Sequence, residues 1–173
     1  LKPFLSQHVG IALGSNLGNR LANIQIARDV LRSLAVPDAP FLQAPIYQTS
    51  PVGCPEGSPD FYNTVVTFEF VGTPFDLIDR TQEIEARLGR VSKPERNAPR
   101  EIDVDILYFG VERLNTGALV LPHPRLTQRR FVLQPLADVQ PDLTLPGDTA
   151  TIAQHLHSLD SAESPLVLVE ANW

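Results

Sequence analysis

Residues 99 to 108 read Pro-Arg-Glu-Ile-Asp-Val-Asp-Ile-Leu-Tyr, and few folds accommodate them. β-Branched and aromatic residues alternate with polar ones at period two, the pattern of a strand with one buried face. Ile102, Val104, Ile106 and Tyr108 are expected on the core side, with Asp103 and Asp105 on the other. Same-face neighbours on a strand lie about 7 Å apart and aspartate is disfavoured in sheets, so the two carboxylates repel unless water or a cation offsets them. A solvated edge strand answers that need. So does a hard cation such as Mg2+, which takes one or two carboxylates and fills its shell with water and phosphate oxygens.

The stretch leading into this strand, residues 87 to 100, carries Arg87, Arg90, Lys93, Arg96 and Arg100 against one acid, Glu95. The chain as a whole has 14 Lys+Arg and a formal net charge of -6, so this is a local reversal of sign. Gly89, Pro94 and Pro99 with little apolar content make it a loop. A cationic loop entering a paired-carboxylate strand suits a polyphosphate held through Mg2+, cations meeting the oxygens and carboxylates the metal. An ordinary solvated loop has the same composition.

At 173 residues with 43% hydrophobic content, a single domain is expected, with a core over about residues 9–159 and a C-terminal extension over 160–173. The acidic balance argues against a general nucleic-acid surface. A lone cysteine, Cys54, forms no internal disulfide and suits a reducing compartment; with no base near it in sequence it reads as a loop thiol. No apolar run is long enough to cross a bilayer and no leader pattern is present, so a cytoplasmic protein without a membrane partner is expected. With no methionine and Leu1 at its start, the sequence reads as trimmed or as an excerpt of a longer polypeptide. A monomer or weak homodimer is expected, Ala22, Ile26 and Val30 forming a weaker stripe that is either a self-association face or a surface packed under the C-terminal segment.

Along the chain, Val9 to Leu13 is an apolar strand ending in Gly14-Ser15-Asn16-Leu17-Gly18-Asn19-Arg20, a strand-to-helix turn with capping residues. The helix runs to about Leu34 on a stripe of Leu21, Ile24, Ala27, Leu31 and Leu34. The turn lacks the Gly-Lys-Ser/Thr ending of a P-loop. Phe41 to Tyr47 is expected as a second strand, Gln48 to Pro59 as a loop, and Phe61 to Phe70 as a third strand. Phe61 and Asn63 share a face there, beside the loop. An aromatic and an amide so placed would stack on and hydrogen-bond a flat heterocycle, and a half-buried core edge accounts for them as well. Thr73 as N-cap and Pro74 open a helix to about Leu88, buried through Leu77, Thr81, Ile84 and Leu88, with Gln82 and Glu85 on a flank. After the carboxylate strand come a hairpin signal at Phe109-Gly110-Val111-Glu112, the rigid Pro122-His123-Pro124-Arg125, an apolar return at Phe131 to Leu136, and a short helix over Thr149 to Leu159. His155 and His157, two apart on that helix, point to different sides, which speaks against a metal site.

The order strand, helix, strand, strand, helix, strand is the α+β, ferredoxin-like βαββαβ pattern. Its sheet is antiparallel with both helices on one face, which leaves the other face for loops, Asp103, Asp105, Phe61 and Asn63.

Several stretches occur in the order seen in one enzyme family. They are Ala12 to Gly18, Tyr47-Gln48-Thr49-Ser50-Pro51-Val52-Gly53, Asp60-Phe61-Tyr62-Asn63, Gly89-Arg90 with Lys93 and Arg96, Pro99 to Leu107, and Leu121-Pro122-His123-Pro124-Arg125. From about Val9 to Leu159 the chain resembles 6-hydroxymethyl-7,8-dihydropterin pyrophosphokinase. The resemblance implies transfer of a pyrophosphoryl group from ATP, the co-substrate, to the pterin hydroxymethyl oxygen with release of AMP. It also implies two Mg2+ ions on Asp103 and Asp105, and phosphate contacts from Arg90, Lys93 and Arg100. Arg90, Arg100, Asp103 and Asp105 are the implied catalytic set. Gln82, Glu85, Ile106, His123 and Arg129 would line the nucleotide site. Thr49, Ser50 and Val52 would present backbone to the pterin edge, Asn63 would read its amide-like ring, and Phe61 with Phe131 would sandwich it. The loop over residues 90 to 99 is expected to close over the site and exclude water. The sequence departs from the family where Asn97-Ala98 replaces a frequent Trp-Gly and where Pro124 replaces an aromatic of some members. Two other readings stay open on the residues: another metal-dependent nucleotidyl or phosphoryl transferase, and a non-catalytic binding module on the same sheet.

Overall fold

One face of β1 (Gln7–Ser15) carries the small residues Gly10, Ala12 and Gly14, and the other carries Val9, Ile11 and Leu13. That asymmetry sets the two sides of the fold. In the computed structural model, which describes residues 5–89, 98–160 and 162–173, β1 lies between β4 (Phe61–Phe70) and β5 (Asp103–Phe109), antiparallel to both. β3 (Ile46–Thr49) pairs with the outer side of β4, and β8 (Val167–Glu170) with β3, giving the order β5-β1-β4-β3-β8. The expected second strand is two pieces: β2 (Leu42–Gln43), which also pairs with β4, and β3. Ala44-Pro45 separates them, because proline has no N–H for the ladder.

The helices α1 (Arg20–Leu34) and α2 (Pro74–Arg87) complete the ferredoxin-like βαββαβ core. Asn19 caps α1 by accepting from the Ala22 N–H at 3.1 Å. Thr73 and Asp76 close a reciprocal capping box on α2, with Pro74 in its first turn. Both helices pack on the Val9, Ile11, Leu13 face: Ile24, Ala27 and Leu31 from α1 and Leu77 and Ile84 from α2 meet Val66, Phe68, Val104 and Ile106. Full burial of each large apolar side chain contributes roughly 1.5–3 kcal/mol over leaving it exposed.

The other face carries helices as well as loops. Past a 3-10 turn at Leu126–Gln128, the apolar return at Phe131 belongs to α3 (Arg130–Val139). Val132, Leu133 and Leu136 pack with Val65, Leu107, Tyr108 and Ile152 of α4 (Ile152–Ser158) in a second core. At the end of this face around Gly14 the sheet opens as a cleft. Tyr108 also departs from expectation. Ile11 pairs with Ile106 and Gly10 with Tyr108, so Leu107 is an extra residue, a bulge that turns both Leu107 and Tyr108 to the second core. Gly10 admits the ring, because a Cβ there would lie 2.3 Å from Tyr108 Cε1. After the turn at Phe109, where the Glu112 N–H donates to the Phe109 carbonyl, the chain does not return along β5. It forms a separate ribbon of β6 (Leu114–Asn115) and β7 (Val120–Leu121). Among the described residues no helix is long and apolar enough to cross a membrane.

Candidate active site

Gly14 pairs with Asn63 on β4 and with Asp103 on β5, and Ala12 with Val65 and Asp105. A Cβ on Gly14 would lie 2.9 Å from Asn63 Oδ1 and 3.9 Å from Asp103 Cβ, so the missing side chain leaves an open floor between an amide and a carboxylate. One cleft spans that floor.

On the β4 side, Phe61 lines the cleft where the strand begins, and Asn63 is buried with its Nδ2 donating to Thr49 Oγ1 at 2.7 Å. Thr49, Ser50 and Val52 come from the end of β3 and the loop after it, and Phe131 comes from the first turn of α3. The Arg129 guanidinium lies 5.4 Å from the centre of the Phe131 ring.

On the β5 side, Asp103 takes a hydrogen bond from Arg100 Nη1 at 3.1 Å, and Arg100 Nε also donates to the Ala98 carbonyl. Burial, then the neighbouring Asp103 and Glu85 charges, push the Asp105 carboxyl up to about 7, against the opposing pull of Arg129 and Arg100. Arg129 stands opposite the pair, its pKa lowered by burial and by Arg125 and supported by Asp105, Asp103 and Glu163. His123 also lines the cleft. Its backbone N–H donates to the Leu107 carbonyl at 2.8 Å, and its Nδ1 accepts the Arg125 N–H at 3.2 Å. Burial, then Arg129 and Arg125, lower its pKa, which favours the neutral imidazole with Nε2 as donor.

Thr49, Ser50, Val52, Phe61, Asn63 and Phe131 thus meet on one side of the cleft, and Arg100, Asp103, Asp105, His123 and Arg129 on the other. Three further residues expected at the nucleotide site are not among those lining this cleft. Gln82 stands exposed on α2, Ile106 is buried in the first core, and Glu85 sits behind β5 with Oε1 accepting the Val104 N–H at 3.0 Å. Arg90 and Lys93, with Arg96, Asn97 and most of the loop expected to close, lie outside the described residues. Sequence reasoning assigned no role to Ala12 or Gly14, although the quoted motif contains both. Cys54, expected as a loop thiol, lines the cleft because the loop between β3 and β4 borders it.

No group of three or more His, Cys, Asp or Glu among the described residues could hold a metal by itself. The Asp103 and Asp105 pair fits a hard cation all the same. It offers oxygen donors on one face, and both things that raise the Asp105 pKa, burial first and then the neighbouring Asp103 and Glu85 charges, are ones a bound cation would offset, with water and phosphate oxygens completing the shell.

The family model for 7,8-dihydro-6-hydroxymethylpterin-pyrophosphokinase matches residues 10–141, from within β1 to just past α3. The chain belongs to that pyrophosphokinase family. It is 42% identical over 141 residues to the 2-amino-4-hydroxy-6-hydroxymethyldihydropteridine pyrophosphokinase of Pseudomonas aeruginosa, covering 81% of this chain and 85% of the relative. The enzyme of the same name from Bacillus subtilis is 41% identical over 129 residues, 75% of each chain. Among solved structures, Plasmodium falciparum wild-type HPPK-DHPS with SDX-DHP superposes with a TM-score of 0.69 at 14% identity, over 91% of this chain. The chain spans 45% of that longer protein, and the likeness speaks for the fold of the pyrophosphokinase.

Proposed function

We infer that this chain transfers the pyrophosphoryl group of ATP to the hydroxymethyl oxygen of 6-hydroxymethyl-7,8-dihydropterin, giving the pterin diphosphate and AMP, a step of folate biosynthesis in the cytoplasm. One relationship carries the reading: Gly14 stands one strand from Asn63 and one strand from Asp103. Neighbouring strands lie about 4.8 Å apart, so the amide and the carboxylate face each other across roughly 10 Å of floor. A flat heterocycle lying over Asn63 would point its substituent toward β5.

The chemistry is an in-line displacement. The hydroxymethyl oxygen bonds to the β-phosphorus, the bond from that phosphorus to the bridging oxygen breaks, AMP leaves with the bridge, and the hydroxyl proton is released. Phe61 and Phe131 bracket the ring, and Asn63, braced by Thr49, reads its edge. The backbone at Thr49, Ser50 and Val52 completes that side. Arg100 and Arg129 present planar donors to phosphate oxygens, and Arg90 and Lys93 add cations from the neighbouring loop. His123 donates Nε2–H on the nucleotide side. Asp103 and Asp105 would hold two Mg2+ ions, which when bound neutralise the triphosphate and polarise the hydroxyl. Alignment of the two bound substrates supplies much of the remaining rate, up to about 7–11 kcal/mol in well-oriented reactions.

The test is product analysis with ATP, Mg2+ and the pterin. AMP and pterin diphosphate are expected in equal amounts, and Asp105→Asn should abolish both. Pyrophosphate in place of AMP would turn the reading to nucleotidyl transfer. ATP binding indifferent to Mg2+ and to Asp105→Asn would turn it to a binding module.

A further inference from the structure

Asn16 does not line the cleft, yet it is only 2% exposed, and its side-chain amide and backbone N–H reach the backbone of two other segments. Its Oδ1 accepts the Arg100 N–H at 2.8 Å, and its own N–H donates to the Arg100 carbonyl at 3.2 Å, closing a two-bond ring. Its Nδ2 donates to the Pro59 carbonyl at 3.2 Å. Two residues at the start of α1 repeat the pattern one step along each segment. Arg20 Nη1 donates to the Asp60 carbonyl at 2.8 Å, and Asn23 Nδ2 to the Glu101 carbonyl at 3.0 Å. Consecutive carbonyls on both sides of the cleft are therefore held from one place.

Those two segments end in the two halves of the site. Pro59-Asp60 runs straight into Phe61 and Asn63, and Arg100-Glu101 into Asp103 and Asp105. Neither segment lies in a strand where it meets Asn16, so ladder hydrogen bonds do not fix their spacing there. An asparagine side chain offers an acceptor and a donor a fixed distance apart, and this one bridges an N–H of one segment to a C=O of the other.

We propose that Asn16 is a positioning residue that sets the pterin half-site and the phosphate half-site at reacting distance, acting through the backbones of Arg100 and Pro59. The role rests on the pyrophosphoryl-transfer reading above. Reacting atoms must approach to about 3–3.5 Å in line, and a misplacement of about 1 Å costs on the order of 100-fold in rate. Loosening the joint should leave each half-site able to bind its own substrate and should slow the reaction between the two. A residue needed only for folding would lower the melting temperature without separating rate from affinity.

The experiment compares wild type, Asn16→Ala and Arg20→Ala. Binary Kd values for Mg-ATP and for the pterin are measured by titration, and single-turnover rates with both substrates saturating. For Asn16→Ala both Kd values are expected within about threefold of wild type, while the single-turnover rate falls about 100-fold. Arg20 is partly exposed and rests on the Tyr62 ring at 3.9 Å, so its truncation should fold and show the same split at about tenfold. An unchanged rate overturns the proposal, and so does a rate loss matched by an equal loss of one binary affinity, which would tie Asn16 to a single half-site. If Asn16→Ala shows no cooperative unfolding transition, Arg20→Ala decides by the same criterion. A wild type that makes no AMP overturns this role together with the transfer reading, whereas an active wild type with both variants unaffected overturns this role alone.

Discussion

Val104 gives its backbone N–H to Glu85 Oε1 at 3.0 Å, so the amide lying between the two β5 aspartates is answered from α2. β5 is an edge of the main sheet, and an edge N–H turned away from its one neighbour needs a partner from elsewhere. Glu85 supplies it from a buried position, at 8% exposure. Glu85→Ala should therefore cost about 1–3 kcal/mol by leaving a buried donor unanswered, whereas Glu85→Gln keeps an acceptor at the same place and should cost less. Urea denaturation of the two variants beside wild type measures this. Equal midpoints for wild type and Glu85→Ala would refute it.

The Gly14 floor makes a second prediction. A methyl group there would sit 2.9 Å from Asn63 Oδ1, and that amide is anchored at its other end by the 2.7 Å bond to Thr49 Oγ1, so it cannot turn aside without losing a bond. Gly14→Ala is expected to raise the KM for the pterin about tenfold, or about 1.4 kcal/mol, with a smaller change for ATP. Removing the opposing amide should relieve the clash. The destabilisation caused by Gly14→Ala, read from thermal melts, should shrink in an Asn63→Ala background, and strict additivity of the two would show that they do not collide.

Periodicity made the core elements legible. β4 has the bounds Phe61–Phe70 expected from its alternation, and Thr73-Pro74 opens α2 as its chemistry requires. Alternation also put Asp103 and Asp105 on the cleft side, but it failed at Tyr108, because the bulge at Leu107 is set by pairing with β1 and leaves no local mark. The helix at Phe131 was hidden by Pro135, which signals a break although α3 continues past it. Gln82 and Glu85 share a flank by spacing, yet one is exposed and the other is drawn behind β5 by the Val104 N–H. His123, Arg129 and Phe131 reach the cleft only through tertiary packing of the second face. The rigid segment at His123 and the apolar return at Phe131 are visible in the sequence, but the place of these residues at the cleft entered the reading through family resemblance.

At the opposite end of β1, His8 makes stability depend on pH. Its Nδ1 lies 3.0 Å from the Tyr108 hydroxyl and its Nε2 3.4 Å from Gln140 Nε2, with the Glu69 carboxylate the nearby acid. Gln140 Nε2 is a donor, which suits an unprotonated ring nitrogen. Burial lowers the His8 pKa from its ordinary 6.5, and Glu69 offsets this in part. A depressed pKa in the folded state means a contribution fully present above about 6.5 and lost as pH falls through the folded value. The urea midpoint should thus drop between about pH 7.5 and about pH 5.5, and His8→Asn, which has nothing to titrate there, should drop less. The ring is only half-buried, so the difference will be modest. Parallel pH profiles for the two proteins would remove His8 as the source.

Trp173 fastens the far edge of the sheet. Its indole Nε1 donates at 2.7 Å to the carbonyl of Ala44, a fully buried residue at the break between β2 and β3. Gln43 Nε2 donates to the Trp173 carbonyl, and the Arg28 guanidinium lies 5.0 Å from the centre of the indole ring. The Ala44 oxygen also accepts Thr64 Oγ1, so it keeps one partner when the indole N–H is removed. Trp173→Phe, which preserves most of the ring contact, should then cost only about 1 kcal/mol. Trp173→Ala also loses the packing against Arg28 and the first core, and should cost more. Trp173 is the single tryptophan of the chain, so the comparison needs far-UV circular dichroism rather than intrinsic fluorescence. If both variants unfold at the wild-type midpoint, the C-terminal segment lies on the sheet without holding it. If the ordering is wild type, Phe, Ala, the β2–β3 break is fastened by residues beyond the part that the family model covers.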